Sequence, residues 1–394
     1  MTKQLLVAGG GMGGLAAAIA AAQAGWQAEL FEQANVFSEA GAGLQLGPNA
    51  TRRLHRWGLA AELRRAGAFP EWLRVRGASD GKQLASMRLG ERSVQRYGAP
   101  YVTSHRADLH GILRARAEAL GVRLHLGRKV ASVSQAGDHV VARTNDSAQS
   151  EGEALIGADG LWSTVREQVW PGMPGPRRTG HLAYRALLRQ QDLPGHLRSA
   201  DVTVWLGPRL HAVTYPVRQG EWLNAVAIVE GTALGSGSDW DRPGTAADLL
   251  QAMDAARACA WLHELVNAAP GWRLWVLHER APVAAAGDMA SGRVALVGDA
   301  AHPMRPYFAQ GAGMAIEDAD ELGQCLGAAG EGAHEVPAAL MRYAAHRWER
   351  NARVQRRSAR NGRIFHARGP IRWGRDLALK LLGERLVDAP WLYR

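Results

Sequence analysis

The chain has 394 residues, nearly half of them apolar and about a fifth charged, a balance that fits a soluble globular protein of one or two lobes and excludes disorder. Its formal charge of +10 is local: residues 342–394 hold 14 Lys or Arg against 4 Asp or Glu, and with no nucleic-acid-binding motif beside them a nucleic-acid partner is not expected. The only cysteines, Cys259 and Cys325, sit in neither a CxxC pair nor a His cluster, so neither a disulfide framework nor a metal site is expected.

The first apolar run, "LLVAGGGMGGLAAAIAAAQAG", has no basic leader and is broken by glycines, which argues against a signal peptide or a membrane span and points to the cytoplasm. It reads instead as a strand over residues 4–8, a glycine loop, and an Ala-rich helix closed by Gly25. "QAELFEQ" follows as a second strand ending in an acid. Gly9, Gly11 and Gly14 occupy the GxGxxG positions: the first for a tight turn, the second for approach of a pyrophosphate to the backbone, the third for close helix–strand packing. Glu32 lies 18 residues beyond Gly14, where an acid accepts hydrogen bonds from an adenosine ribose. This loop alone does not separate FAD from NAD.

"ALIGADGLWSTVRE" again runs from apolar strand to acid to helix, with Asp159 and Gly160 in the turn and Ser163 and Arg166 after it. Between residues 183 and 230, short alternating runs separated by Gly, Pro and Asp turns predict antiparallel strands. In "HAVTYPV" the period of two puts His211, Val213 and Tyr215 on one face, where an imidazole and a phenol can both point at a bound ring. "GRVALVGDAAHPMRPYFAQGAGMAIEDA" then delivers Asp299 at the carboxyl end of a strand and opens a helix near Gly311 and Gly313. Its first-turn amides suit the electron-rich N1 and C2 carbonyl of a flavin, and Asp299 suits ribityl hydroxyls. NAD has no such extension, so FAD is the expected cofactor. His302, after "GDAA", reads as a structural loop histidine. In the tail, Arg350, Arg353, Arg357 and Arg360 recur at helical spacing and read as a solvated face, with a subunit contact or attraction of an anionic substrate as alternatives. "WGRDLALKLLGERLV" is expected to pack its apolar residues on the body.

In order and spacing, these segments resemble the GxGxxG, DG and GD motifs of the FAD-dependent aromatic hydroxylases, the single-component flavoprotein monooxygenases that include p-hydroxybenzoate hydroxylase. "GAGLQLGPNATRRLHRWGL", "HRADLHGIL" and "DAPWLYR" are similar to the salicylate hydroxylase and 3-hydroxybenzoate 6-hydroxylase branch. The resemblance implies that Gln45 lies beside the isoalloxazine, Arg106 contacts the FAD phosphates, Asp299 holds the ribityl chain and Pro306 lines the flavin. It also implies that Asp159 shapes the nucleotide groove and the nicotinamide approach. Arg106 as a surface arginine and Gln45 as a capped loop amide are the plainer alternatives.

The expected fold is therefore α/β: a Rossmann-like FAD-binding domain, an antiparallel-sheet substrate domain and a C-terminal helical tail. The first would comprise residues 1–70, 100–180 and 275–340, the second 71–99 and 181–274, the third 341–394. By resemblance the chain is an enzyme that binds FAD without a covalent link. NADH or NADPH would reduce the flavin, O2 would add to give a C4a-hydroperoxide, and a small phenolic or N-heteroaromatic ring would be hydroxylated. His211 is the candidate base, being titratable near neutrality, and Tyr215 would orient the substrate or relay the proton. A histidine satisfied within the sheet, and a tyrosine placed there by strand preference, are the plainer readings. Arg305 is the candidate partner of a substrate carboxylate if it turns inward. A flavin reductase, a quinone-ring hydroxylase and a non-catalytic binding protein on the same fold are alternatives. A monomer or homodimer without integral membrane association is expected.

Overall fold

The computed structural model describes residues 3–37, 42–231, 241–330, 332 and 334–394. The opening strand Gln4–Ala8 is buried on both faces, with Leu5, Leu6 and Val7 sealed from solvent, which is why it is an unbroken apolar run rather than an alternating one. The helix Met12–Gln23 returns the chain to Gln27–Phe31, which pairs parallel to the first strand in the register Leu5↔Ala28 to Ala8↔Phe31. The sheet they begin runs Ala290–Ser291, Val294–Leu296, Ala154–Gly157, Gln4–Ala8, Gln27–Phe31, Arg123–His125. Every pairing in it is parallel except at the Ala290–Ser291 edge. Strands Val294–Leu296, Ala154–Gly157 and Gln4–Ala8 are neighbours, so the loops carrying Asp299, Asp159 and Gly9 leave from adjacent carboxyl ends, where open α/β sheets bind ligands.

Small residues decide how the helices stack here. The Ala-rich helix Met12–Gln23 lies against Gly311–Gly327, and a Cβ on Gly323 would meet the Cβ of Ala20 at 2.8 Å. A helix so nearly apolar all round must be buried, and this one is covered by the sheet and by its partner helix.

The second sheet has eight strands in the order Asp241–Gly244, Trp272–Glu279, Arg177–Arg189, Trp222–Glu230, Leu210–Val217, Val202–Gly207, Trp72–Gly77, Gln83–Arg88. One face packs on the helices Ala246–Ala255 and Ala260–Ala268 through residues such as Ala212, Leu249, Met253 and Leu262. The other face looks toward the motif loops. It departs from a purely antiparallel sheet at one place: Val202–Gly207 runs parallel to Trp72–Gly77, because the hairpin that supplies the edge enters from a distant part of the chain.

The tail is helical, with Glu335–Phe365 and Gly369–Leu382 as its main pieces, but two expectations for it fail. Arg350 is not part of a solvated face. Its Nε and Nη2 pair with Glu317 at 2.6 and 2.7 Å, and it donates to the carbonyls of Trp391 and Leu392, tying down the C-terminus. Arg353 and Arg360 do reach solvent, Arg353 while lying over the Trp391 ring. The apolar residues of Gly369–Leu382 do not turn inward either: Ile371, Trp373 and Leu381 are more than 70 % exposed, while Leu379 is the one that packs on the sheet.

Next to Arg350, the buried Arg347 bonds Glu317 at 2.7 Å and Asp318 at 2.9 Å, while Asn351 also donates to Asp318. Burial alone would raise both carboxyl pKa values. The surrounding cations win and hold Glu317 down to about 2 and Asp318 well below its usual range. A folded-state pKa below the unfolded one contributes stability above the unfolded value, near pH 4, and loses it as the pH falls. Arg347→Met is accordingly expected to lower the unfolding free energy by about 3–5 kcal/mol at neutral pH. In urea titrations the deficit should shrink toward about pH 2 as the wild type loses the same pairing. A deficit that stays constant with pH would contradict it.

Candidate functional site

At the first loop the three glycines are needed for three different reasons. Gly9 has φ +107°, and a Cβ there would lie 2.5 Å from the carbonyl oxygen of Ala158 on the neighbouring strand. A Cβ on Gly14 would lie 1.8 Å from the carbonyl of Gly9. A Cβ built on Gly11 would meet nothing within 4 Å beyond its own turn, so packing does not need a glycine there and a ligand would. Gly11 is also the N-cap of Met12–Gln23 and offers no side-chain acceptor, leaving first-turn amides free for an anion. The half-exposed Glu32 closes the loop, accepting from the amides of Gly10 at 2.7 Å and Ala34 at 2.8 Å. His110 holds the same loop from the far side, 2.7 Å from the Gly10 carbonyl, a contact 100 residues away that no local spacing announces.

The second loop leads into the short helix Thr164–Val169. Asp159 turns its carboxylate to its own helix, accepting from Ser163 Oγ and from the Val165 amide at 3.1 Å, and so caps Thr164–Val169. Burial raises its pKa despite those bonds. The side chain that crosses to the third loop is Arg166, which donates to the carbonyls of Ala300 at 3.0 Å and Ala301 at 2.7 Å. That arginine thereby holds the position of Asp299.

Asp299 opens onto a cleft while protein crowds its other sides; desolvation raises its pKa, against the pull of His302 and of the half-buried Arg106. His302 is buried with its Nε2 on Asp318, in keeping with a structural loop histidine. Gly311 starts the helix Gly311–Gly327, half-exposed and with open space where a side chain would be, whereas Gly313 is buried and would press a Cβ on Gln310 Oε1 at 2.9 Å. Of the two, Gly311 faces the cleft and Gly313 serves packing. The donor set fits FAD from end to end: an acid at the ribose position, bare helix amides at the pyrophosphate, an arginine near the loop between, and an acid and a second helix start at the flavin end.

The second sheet meets these loops through the face that carries His211, Val213 and Tyr215. The Tyr215 ring lies against Gly43, where a Cβ would be 2.6 Å from it, and Asn224, its cross-strand neighbour, accepts from the Gly43 amide at 2.7 Å. Tyr101 donates to Gln45 at 2.7 Å, so Gln45, Tyr101, Tyr215 and Asn224 form one polar seam between the sheets. Burial raises the Tyr215 phenol, although Arg185 and the neighbouring Asn224 and Gln45 side chains pull the other way. Apolar residues normally sealed in a core are only half-buried here: Val213, Val226 and Leu187 on the sheet, Met304, Pro306 and Phe308 on the loop after Asp299. Leu187, Val213, Met304 and Phe308 share one apolar cluster with Tyr215, and the polar seam lies at its edge.

One sequence expectation, that for Arg305, changes here. Arg305 is half-buried but committed, its Nε and Nη2 on the two Glu279 oxygens at 2.6 and 2.8 Å, so it does not present a guanidinium to a substrate carboxylate. Arg185 is the cation that shares the face of Val213 and Tyr215, lying 3.7 Å over the Trp275 ring, in a row that runs Arg185↔Val226↔Val213. A lone arginine inside the apolar strand "LAYRALL" was its signal. His211 lies inside the sheet–tail interface, its Nδ1 2.8 Å from Nε2 of His366, with Tyr307 and Phe365 around its ring. Burial, then the neighbouring His366 and His181, holds its pKa well below the usual histidine value.

A family model described as an FAD binding domain matches residues 2–358. A 3-amino-4-hydroxybenzoate 2-monooxygenase of Streptomyces platensis is 38 % identical over 99 % of this chain and 95 % of its own. A 3-hydroxybenzoate 6-hydroxylase of Polaromonas naphthalenivorans is 36 % identical over 99 % of this chain and 95 % of its own. Among solved structures, a salicylate hydroxylase substrate complex superposes with a TM-score of 0.83 at 27 % identity, covering 100 % of this chain and 95 % of that one.

The open space at Gly11 separates folding from binding. Gly11→Ala is expected to leave the thermal unfolding of the flavin-free protein unchanged and to weaken FAD at least about tenfold in a fluorescence titration. An unstable apoprotein, or unchanged affinity, would show that the space is not kept for the cofactor.

Proposed function

The chain belongs to the FAD-binding-domain family and is a flavin-dependent aromatic monooxygenase, and we propose on that premise that it hydroxylates a small phenolic or N-heteroaromatic carboxylate with NADH or NADPH and O2. The observation that carries this reading is the inner face of the second sheet, where Val213, Leu187 and Tyr215 meet Met304 and Phe308 of the loop that follows Asp299 in one apolar cluster. FAD bound along the three loops would supply the activated oxygen that an electron-rich ring takes up.

The chain's own residues would prepare that ring. An imidazole whose pKa is depressed is neutral throughout the physiological range, and Nε2 of His211 has no hydrogen-bond partner among the described residues, so it is able to receive the phenol proton. Removing that proton raises electron density on the ring at the positions to be hydroxylated. Tyr215 has a raised pKa and stays protonated, which makes it a donor that orients the ring oxygen or a carboxylate. Arg185 supports a preference for carboxylated rings, held flat by Trp275 and adjacent to Tyr215. Gln45, fixed by Tyr101, would border the flavin, and Arg106 its phosphates.

The test is oxygen uptake and NADH or NADPH oxidation with 3-hydroxybenzoate, 3-amino-4-hydroxybenzoate, salicylate and 6-hydroxynicotinate, each with product analysis. His211→Ala is expected to keep FAD and still consume reductant, releasing hydrogen peroxide while coupled hydroxylation falls about 100-fold. Unchanged coupling would remove His211 from the reaction. Arg185→Met should raise KM for carboxylated rings about 10- to 100-fold and leave uncharged phenols little affected; an equal effect on both would place Arg185 outside carboxylate binding.

A further inference from the structure

His211 leads into a row of titratable groups that runs away from the cleft. Beyond its 2.8 Å contact with Nε2 of His366 lies the other nitrogen of that ring, Nδ1, which is buried and has no hydrogen-bond partner among the described residues. The nearest acid oxygen is Oε1 of Glu230, at 3.7 Å. Glu230 ends the strand Trp222–Glu230 with a third of its side chain in solvent, and its second oxygen is 3.5 Å from Arg209 and 3.4 Å from Arg368. Packing alone would be served by any flat side chain. Two buried imidazoles bonded nitrogen to nitrogen, with the far nitrogen aimed at a surface carboxylate, are a costly choice for a core unless protons use them.

We propose that His366 and Glu230 form an exit path for the proton that His211 takes from the substrate, carrying it through the protein to solvent instead of back through the cleft. The proposal rests on the reading of His211 as the base. The O–H bond of the substrate breaks as an N–H bond forms at Nε2 of His211, whose Nδ1 proton passes to Nε2 of His366. The Nδ1 proton of His366 passes in turn to Glu230, and the carboxylic acid so formed releases it to water. One negative charge moves from Glu230 to the substrate oxygen and no imidazolium is formed; the reverse transfer resets both rings when the product leaves as a neutral phenol.

The surroundings favour such a neutral path. Burial, then His181, Arg375 and Arg305, holds His366 down to about 3, so neither ring is a resting place for charge. The remaining groups around the pair are Tyr307, whose hydroxyl is raised by burial, and Glu279, which is occupied by Arg305. Rotation of the partly exposed Glu230, or one bridging water, closes the 3.7 Å step. His181, Glu230 and His366 also lie close enough together to share a cation, but Arg209 and Arg368 already neutralise Glu230, and Arg305 adds a third positive charge nearby.

The experiment compares Glu230→Gln, Glu230→Asp, His366→Gln and His211→Ala as FAD-loaded enzymes, using whichever of 3-hydroxybenzoate, 3-amino-4-hydroxybenzoate and 6-hydroxynicotinate most stimulates oxygen uptake by the wild type. Coupled product formation is followed between about pH 6 and 9, in water and in mixtures with deuterium oxide. With Glu230→Gln and His366→Gln, coupled hydroxylation at neutral pH should fall at least about tenfold at unchanged flavin content and recover as hydroxide rises. The dependence on deuterium fraction should change from curved, with several protons in flight, to linear. Glu230→Asp should restore the wild-type profile. Should His366→Gln not fold, Glu230→Gln, at the surface, decides the matter. Wild-type profiles in both Gln variants beside an uncoupled His211→Ala would overturn the exit path and leave the base in place, whereas full coupling in His211→Ala would overturn both. Activity lost to a chelator and regained with zinc would overturn it in favour of a bound cation.

Discussion

Glu317 and Asp318 are consecutive residues on the helix Gly311–Gly327, and between them they hold most of the site in place. Glu317 accepts from Asn49, Arg347 and Arg350; Asp318 accepts from Arg347, Asn351, His302 and the Gly298 amide at 3.1 Å. These contacts join the strand–turn of Asp299, the loop that follows it, the helix after Gly47 and the long tail helix. Buried ion pairs of this kind bring little net stability, because desolvation cancels much of the attraction. Their geometry is demanding, however, and a helix held at two adjacent residues by bidentate guanidinium groups cannot slide or turn. The start of that helix is where the flavin end of the cofactor would lie, so its fixed position sets the site.

The second sheet is positioned by weaker means. It touches the nucleotide-binding part through Asn224 and Tyr215 on the Gly43 backbone, and through Arg305, which reaches from the motif loop to Glu279 on the strand Trp272–Glu279. The arginine expected to receive a substrate carboxylate thus acts as a strut between sheet and loop. Its removal from the substrate role leaves Arg185 as a cation on the inner face of that sheet, lying over the Trp275 ring.

Much of this architecture was legible in the sequence because the information is local. Gly9 and Gly14 are required by contacts a few residues away or on the adjacent strand, and a strand, glycine loop, helix and acid in succession leave few alternatives. The period of two likewise put His211, Val213 and Tyr215 on one face, as observed. The pairing of Arg305 with Glu279, of Arg166 with Ala300 and Ala301, and of His211 with His366 across 155 residues depends on how separate elements meet, and no periodicity encodes that. The helix Gly369–Leu382 misled for the opposite reason: its pattern shows that it has an apolar stripe but not whether the body has room to cover it.

The same distinction explains the charge of the tail. Counted along the sequence, the surplus of arginine after residue 341 reads as a solvated face. In the folded chain, Arg347 and Arg350 meet the acids of Gly311–Gly327, Arg350 also holds the C-terminal carbonyls, and Arg375 donates to the carbonyls of Ile364 and Phe365. Positive charge in the tail therefore does two jobs: it locks the helix Gly311–Gly327 to the rest of the molecule, and it holds the turn at which His366 ends the long helix. The second places a guanidinium close to that ring and, with burial and His181, keeps it neutral. The charge pairing that pins the helix Gly311–Gly327 sits at Arg347 and Arg350, near the middle of the 31-residue tail helix, whereas the histidine from which charge is excluded follows that helix's last residue, so the pairing leaves the proposed neutral path undisturbed.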